Sequence, residues 1–436
     1  MAIFTLGCLS GGAFCLPVWA DDDAPEAPAE PSDYQSRHLL VHTDLPEAEA
    51  QKLLVRLEAT LTAISDYWQS PLRGMIECYV IADIDHWCDA NALPKNVSLM
   101  IRSIGGATDV RRESSGKQSA FLATVYAVAR PGVPEHEVVH AYCIQTFGAM
   151  GPDWYKEGMA QMSHIRREGE RGVACAPEVL ACFRDRPRRT VQQIVSAGTF
   201  TSRIGKSLEE ALVRGDKLTI ETQDHDEIWL RENAAAVEQA FQSYYWSWAL
   251  CHLLHHNPNY SARFRMLGRS YLSRRDETFE RVFGSMSDKI AFEYQFFVDH
   301  IDQGYRADLC AWDWTKKFRS LVDGEEVVTR VLAARGYQPS GLDVSAGQDY
   351  TYRTEGTWTL SPGAEATGAA GDAQEHGGLE AVVMRKGLAL SEPILLKAEG
   401  VLNPPSDGRL YLRCRDDWNK LDDNQGSVLV RFRKGQ

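Results

Sequence analysis

Apolar residues between Pro46 and Gln69 fall at Leu53, Leu54, Leu57, Leu61 and Ile64. That spacing predicts a helix with one buried face. A short apolar run at His38–His42 precedes it, and two more follow at Cys78–Ala82 and Phe121–Val128, the last closed by Pro131-Gly132. Runs of this length, bounded by turn residues, predict strands. From Pro134 the period lengthens to that of helices, predicted over Pro134–Thr146, Asp153–Arg166, Ala234–His255, Ser261–Leu272, Arg275–Phe283 and Met286–His300. After Gly336 the pattern shortens again. Tyr350–Thr354, Thr357–Leu360, Leu379–Met384, Ile394–Lys397, Leu410–Cys414 and Val428–Phe432 alternate between Gly, Pro and Asp turns. These predict a separate all-β region from about Leu342 to the end, and an α+β chain overall. Gly169–Asp226 carries no ordered pattern, and Asp21–Ser32 (DDDAPEAPAEPS) is too polar to bury a core, so it is read as a tether.

The chain has 436 residues, 44% hydrophobic and 25% charged, an ordinary balance for a folded soluble protein of two or three domains. A net charge of −13 excludes a general affinity for nucleic acid or anionic lipid. Residues 2–20 carry no charged side chain, end in Val18-Trp19-Ala20 and run into three aspartates. A short apolar run closed by small residues reads as a secretory signal peptide, although the usual basic start is missing. A single membrane anchor is the alternative. The predicted location is the periplasm or the extracellular space. Of ten cysteines, Cys8 and Cys15 lie in the leader, and the remaining eight permit disulfides. Cys78 with Cys88, and Cys175 with Cys182, are near enough for local loops. No C-x-x-C pair occurs, which argues against a cysteine zinc site.

Candidate chemistry concentrates at His136-Glu137-Val138-Val139-His140. On a helix, positions i and i+4 share a face, so both histidines can present a ring nitrogen to one metal ion. Glu157 follows 17 residues after His140, beyond a Gly-Ala-Met-Gly-Pro turn. Two antiparallel helices joined there would bring its carboxylate opposite the histidines. Two histidines and one carboxylate leave the fourth zinc position for water. Glu137, adjacent to a ligand but not itself one, is placed to take that water's proton and pass it to a leaving amine.

These residues, with Trp154-x-x-Glu157-Gly158, resemble the gluzincin metallopeptidases, the thermolysin-like group, and among them a bacterial exported branch with short helix-to-helix spacing. The likeness runs over about Ser36–Tyr337. It implies a thermolysin-like zincin catalytic region, Zn²⁺ held by His136, His140 and Glu157, and Glu137 as general base and then acid. It also implies a downstream tyrosine that donates to the developing oxyanion, Tyr244 first and Tyr245 second. The strand Phe121–Val128 would take the peptide substrate as an added strand. Where thermolysin-like enzymes often carry an acid that orients a metal histidine, four residues past the glutamate ligand, this chain has Gln161, which can accept the same hydrogen bond.

Toward the C-terminus, Gly408-Arg-Leu-Tyr-Leu-Arg and Asp423-Asn424-x-Gly426-Ser427 resemble small calcium-dependent, galactose-binding bacterial lectins over about Gln348–Phe432. That resemblance implies a β-sandwich and calcium held by Asp416, Asp423 and Asn424, bridging sugar hydroxyls. The family's early ligand tyrosine is replaced near Ser361, so a structural or docking sandwich is the favoured role. The expected organisation is therefore a signal peptide (1–20), a disordered linker (21–33), a gluzincin-like metallopeptidase domain (34–338) and a lectin-like β-sandwich (342–436). The expected activity is hydrolysis of peptides or proteins by a zinc-activated water. Two alternatives stand beside it: a catalytically silent, zinc-stabilised scaffold whose β domain binds carbohydrate or the cell envelope, and a zinc hydrolase of a non-peptide bond.

Overall fold

The computed structural model describes residues 30–89, 93, 97, 98, 101, 102, 105–115, 118–165, 173, 175–196 and 242–435. The expected leader and most of the linker lie outside these, as do Gly169–Gly172 and residues 197–241. Two regions emerge, making an α+β chain. The first opens on a five-stranded sheet. Its strands are β1 (Ser32–Gln35), β2 (Leu39–Thr43), β3 (Ile76–Ile81), β4 (Gly106–Ser115) and β5 (Gln118–Val128), in the order β1-β2-β3-β5-β4. Strands β2, β3 and β5 are parallel, while β1 and β4 flank them antiparallel. Ser32 and Asp33, expected in the tether, belong to β1.

Helix α1 (Glu47–Trp68) crosses from β2 to β3 and buries Leu53, Leu54, Leu57, Leu61, Ile64 and Trp68. They form one core with Leu39, Val41, Ile76, Cys78 and Val125 of the sheet. Cys78 is thus an unbridged thiol beneath α1, its pKa pushed far up by burial, and the Cys78–Cys88 loop does not form. No disulfide joins Cys175 to Cys182 either.

One expectation about the sheet is corrected. Strand β5 is paired on both sides, by β3 and by β4. From Thr124 to Val128 its backbone groups are spent within the sheet, so no peptide can add to it there. Among the described residues the edge on that side is β4, which the sequence reading missed because GATDVRRESS lacks an apolar run.

The helical part continues with α2 (Ile84–Asp89), α3 (Val133–Phe147), α4 (Asp153–Ile165), α5 (Pro177–Asp185) and α6 (Val191–Ser196), then a helix over residues 242–256. It closes with α7 (Ser261–Leu272), a single turn at Phe279–Phe283 and α8 (Ser287–Asp299). The stretch Arg275–Thr278 precedes that turn rather than joining it; Thr278 is its cap, accepting from Arg281 N at 3.2 Å.

The second region is a sandwich of two antiparallel sheets. One has β6 (Glu326–Leu332), β13 (Gln425–Lys434), β8 (Tyr350–Thr359) and β11 (Glu399–Leu402); the other has β7 (Gln338–Val344), β12 (Gly408–Cys414), β9 (Leu379–Met384) and β10 (Ile394–Leu396). Strand β6 lies before the expected start at Leu342 and β7 runs across it, so the sandwich takes in residues assigned to the preceding region. The predicted strands Tyr350–Thr354 and Thr357–Leu360 are one strand: Gly356, at φ 108, sits opposite Val428 inside the ladder rather than in a turn. A Cβ there would lie 2.6 Å from Ser427 O.

Candidate metal centre

Helix α3 follows β5 through a tight turn in which Gly132 takes φ 91. Glu135 closes its first turn, accepting from Gly132 N at 2.9 Å and pairing with Arg56 Nε at 2.8 Å. Gly148, at φ 68, ends it by donating to Ile144 O at 2.7 Å. The chain then reverses through Gly151 and Pro152 into α4. The helix is buried from Pro134 to Ile144, and its two histidines sit one turn apart on one face.

That reversal brings His136, His140 and Glu157 together, their ligand atoms within 4.8 Å of one another. The two Nε2 atoms are 3.1 Å apart, and Glu157 Oε2 lies 3.3 Å from each. A tetrahedral zinc with ligand distances of 2.0–2.1 Å implies donor separations of about 3.3 Å. Two imidazoles and a carboxylate, all buried, converge at that spacing, so the residues fit a zinc ion. Burial alone would raise the Glu157 carboxyl, but the facing His140 and His136 outweigh it and hold the group far below the usual carboxylate range.

Glu137, next to His136 in the chain, is buried close to this set. Burial pushes its carboxyl up to about 7, opposed by His136 and by a hydrogen bond from Thr108. Thr108 Oγ1 donates to Glu137 Oε2 at 2.8 Å and also lies 3.1 Å from its main-chain oxygen. Strand β4 presses close here: a Cβ on Gly106 would lie 2.8 Å from Glu137 Cγ. The sequence reading did not find Thr108, because no spacing links an edge strand to a helix 29 residues on.

Tyr244, on the helix over 242–256, packs with its ring centroid 6.0 Å from that of His136. Burial, then the charges of Glu157 and Glu137, hold its phenol well above the ordinary value, so it stays protonated at neutral pH. Tyr245 is half-buried and packs against the core. Gln161 is buried one turn beyond Glu157, yet it makes no hydrogen bond to His136 or His140, so the orienting role expected of it is not performed. The contact to a ligand comes instead from Lys156, whose Nζ lies 3.6 Å from Glu157 Oε1 and 2.7 Å from Asp153 Oδ1.

In the sandwich, Asp416, Asp423 and Asn424 all fall on the loop between β12 and β13. Asp416 Oδ2, Asp423 Oδ1 and Asn424 Oδ1 are each buried without a hydrogen-bond partner. Carboxylate and amide oxygens are of the kind that calcium takes as donors.

No protein-family model matches the chain, and no curated protein matches it. Distant structural neighbours include the N-terminal domain of EclA, a PllA-like lectin, at 21% identity and a TM-score of 0.21, covering 25% of this chain and 95% of that one. A second is the IMPa metallopeptidase in complex with T-antigen, at 15% identity and a TM-score of 0.17, covering 44% of this chain and 20% of that one. The IMPa metallopeptidase from Pseudomonas aeruginosa stands at 14% identity and 0.17, covering 44% and 24%. The chain therefore spans only a fifth to a quarter of those metallopeptidases. Likenesses of this size carry no functional argument.

Proposed function

We propose that the protein is an exported zinc metallopeptidase of the thermolysin-like type that hydrolyses peptide bonds. The observation that carries this reading is the buried convergence of His136, His140 and Glu157 with a separate carboxylate, Glu137, beside it. Zinc held there would supply a Lewis acid that lowers the pKa of its water and polarises a carbonyl. Glu137 would take a proton from the water that adds to the carbonyl carbon and would pass it to the departing amine nitrogen as the C–N bond breaks, while Thr108 keeps its Oε2 in place. The protonated Tyr244 phenol donates toward the carbonyl oxygen as negative charge grows on it. The edge of β4, unpaired among the described residues and running past Glu137, offers main-chain groups to an extended substrate.

The reading is tested on residues 21–436 by elemental analysis followed by a peptide-library screen. About one zinc per wild-type chain is expected, lost in His140→Ala and Glu157→Ala. Glu137→Gln should keep the zinc and lose about 10²–10⁴-fold in hydrolysis. Wild-type protein that folds but takes up no added zinc would sink the proposal. A Glu137→Gln variant with unchanged function would favour the zinc-stabilised scaffold.

The orphaned oxygens support a second, separate reading: the sandwich holds calcium at Asp416, Asp423 and Asn424 and docks to carbohydrate or the cell envelope. Calcium should raise the thermal midpoint of the wild type and leave Asp423→Ala unmoved. An equal response in both, or none in either, removes this site.

A further inference from the structure

The two carboxylate oxygens of Glu157 meet different partners. Oε2 lies 3.3 Å from Nε2 of each histidine, whereas Oε1 lies 3.6 Å from Lys156 Nζ. Lys156 is in turn held by Asp153, whose Oδ1 is 2.7 Å away. Glu157 is 4% exposed and Lys156 16%, so the pair sits where water screens it little. Asp153 and Lys156 are three residues apart on α4 and share a face, so the arrangement is built within one helical turn.

We infer that Lys156 is a positioning residue for the metal ligand: it holds Oε1 of Glu157 back, so that a single oxygen faces the two histidines. A carboxylate can bind a cation through one oxygen or through both. With both, two nitrogens and two oxygens would crowd the position of the water and raise the donor count to five where the water stays. An ammonium against Oε1 opposes that, because the oxygen can turn to the metal only by giving up its partner. Asp153 limits the freedom of the long lysine side chain and keeps the charge on station. Lys156 thereby keeps the site open, which separates a catalytic zinc site from a closed structural one.

This inference rests on the zinc reading above, and its test reads the metal rather than catalysis. Cobalt(II) is loaded in place of zinc into the wild type, Lys156→Met, Lys156→Arg and Asp153→Asn, and the visible d–d absorption is recorded beside a chelator competition. The wild type should show the intense absorption of a four-coordinate site. Lys156→Met should keep its cobalt, unlike Glu157→Ala, while the absorption falls by about half as the second oxygen enters. Lys156→Arg, which retains the charge, should keep the wild-type spectrum, and Asp153→Asn should shift part of the way. Wild-type spectra in both Lys156→Met and Asp153→Asn overturn the inference. Loss of cobalt from Lys156→Met overturns it as well, since that would mark a role in holding the site together. If Lys156→Met does not fold, Asp153→Asn decides. A wild type that binds no cobalt removes the zinc reading itself, and the inference with it.

Discussion

At the scale of single residues, hydroxyl, ammonium and phenol groups surround the His-Glu-His set without belonging to it. Thr108 is the clearest. Its hydroxyl meets a buried carboxylate at 2.8 Å, and hydrogen bonds to charged groups contribute about 1.5–3 kcal/mol. Thr108→Val keeps the shape and removes the donor. Hydrolysis of a library-selected peptide should fall about ten- to hundredfold in kcat with zinc content unchanged, and Thr108→Ser should restore it. An unaltered kcat in Thr108→Val would show that Glu137 does not need the contact. Of this site, the two histidines were legible in the sequence because a helix turns a five-residue spacing into a shared face, and Glu137 because it stands between them in the chain. Thr108 was not, because its place beside Glu137 is made by the antiparallel return of β4 along β5.

At the scale of elements, α4 must approach the helix over 242–256 closely to seat Glu157 near Tyr244, and Gly158 allows it. A Cβ at Gly158 would lie 2.6 Å from Ser247 O and 2.5 Å from Cys251 Sγ. Gly158→Ala must therefore push the two helices apart. Overpacking of this kind costs about 1–3 kcal/mol. The urea midpoint should fall by a corresponding amount, and zinc should be held more weakly, because Glu157 shares the displaced turn. A variant with wild-type stability and zinc affinity would mean that the helices have room to spare. The Glu157-Gly158 pair was visible in the sequence as a motif, but the partner that demands the glycine lies about 90 residues on.

At the scale of the whole molecule, the sandwich is seated on the helical region rather than tethered to it. Along β9, Leu379, Ala381 and Val383 face the sandwich core, while Val382 and Met384 join the core of the first region. Strand β12 divides likewise, Leu410 and Leu412 inward, Tyr411 and Arg413 outward. Glu380 and Arg413 pair across this face at 2.7 Å, with the Tyr337 hydroxyl donating to Glu380. The loop carrying Asp416, Asp423 and Asn424 is part of the seat. Its Trp418 packs against Phe296, His300 and Tyr305, with the Arg413 guanidinium 3.8 Å from the ring centroid, and Asp422 pairs with Arg306 at 3.1 Å. Trp418→Ala should cost about 3–5 kcal/mol and split thermal unfolding into two transitions, read by calorimetry. A single transition at the wild-type midpoint would show that the two regions do not support each other through this ring.

The sequence by itself determined what local periodicity can encode: α1 with its apolar stripe, the metal helix and its reversal into α4, and the short alternating strands of the sandwich. It also pointed to the histidines, Glu137 and Glu157, because their spacing is helical or set by one short turn. Strand order, the position of β4 at the sheet's edge among the described residues and the two-sided burial of β9 were decided by the tertiary structure. Pairing partners lie far apart in the chain, and a strand covered on both faces loses the alternation that would reveal which neighbour each face meets. Gly356 read as a turn for the same kind of reason: composition marks a permissive backbone, but only the ladder around it shows whether the chain bends there or runs through.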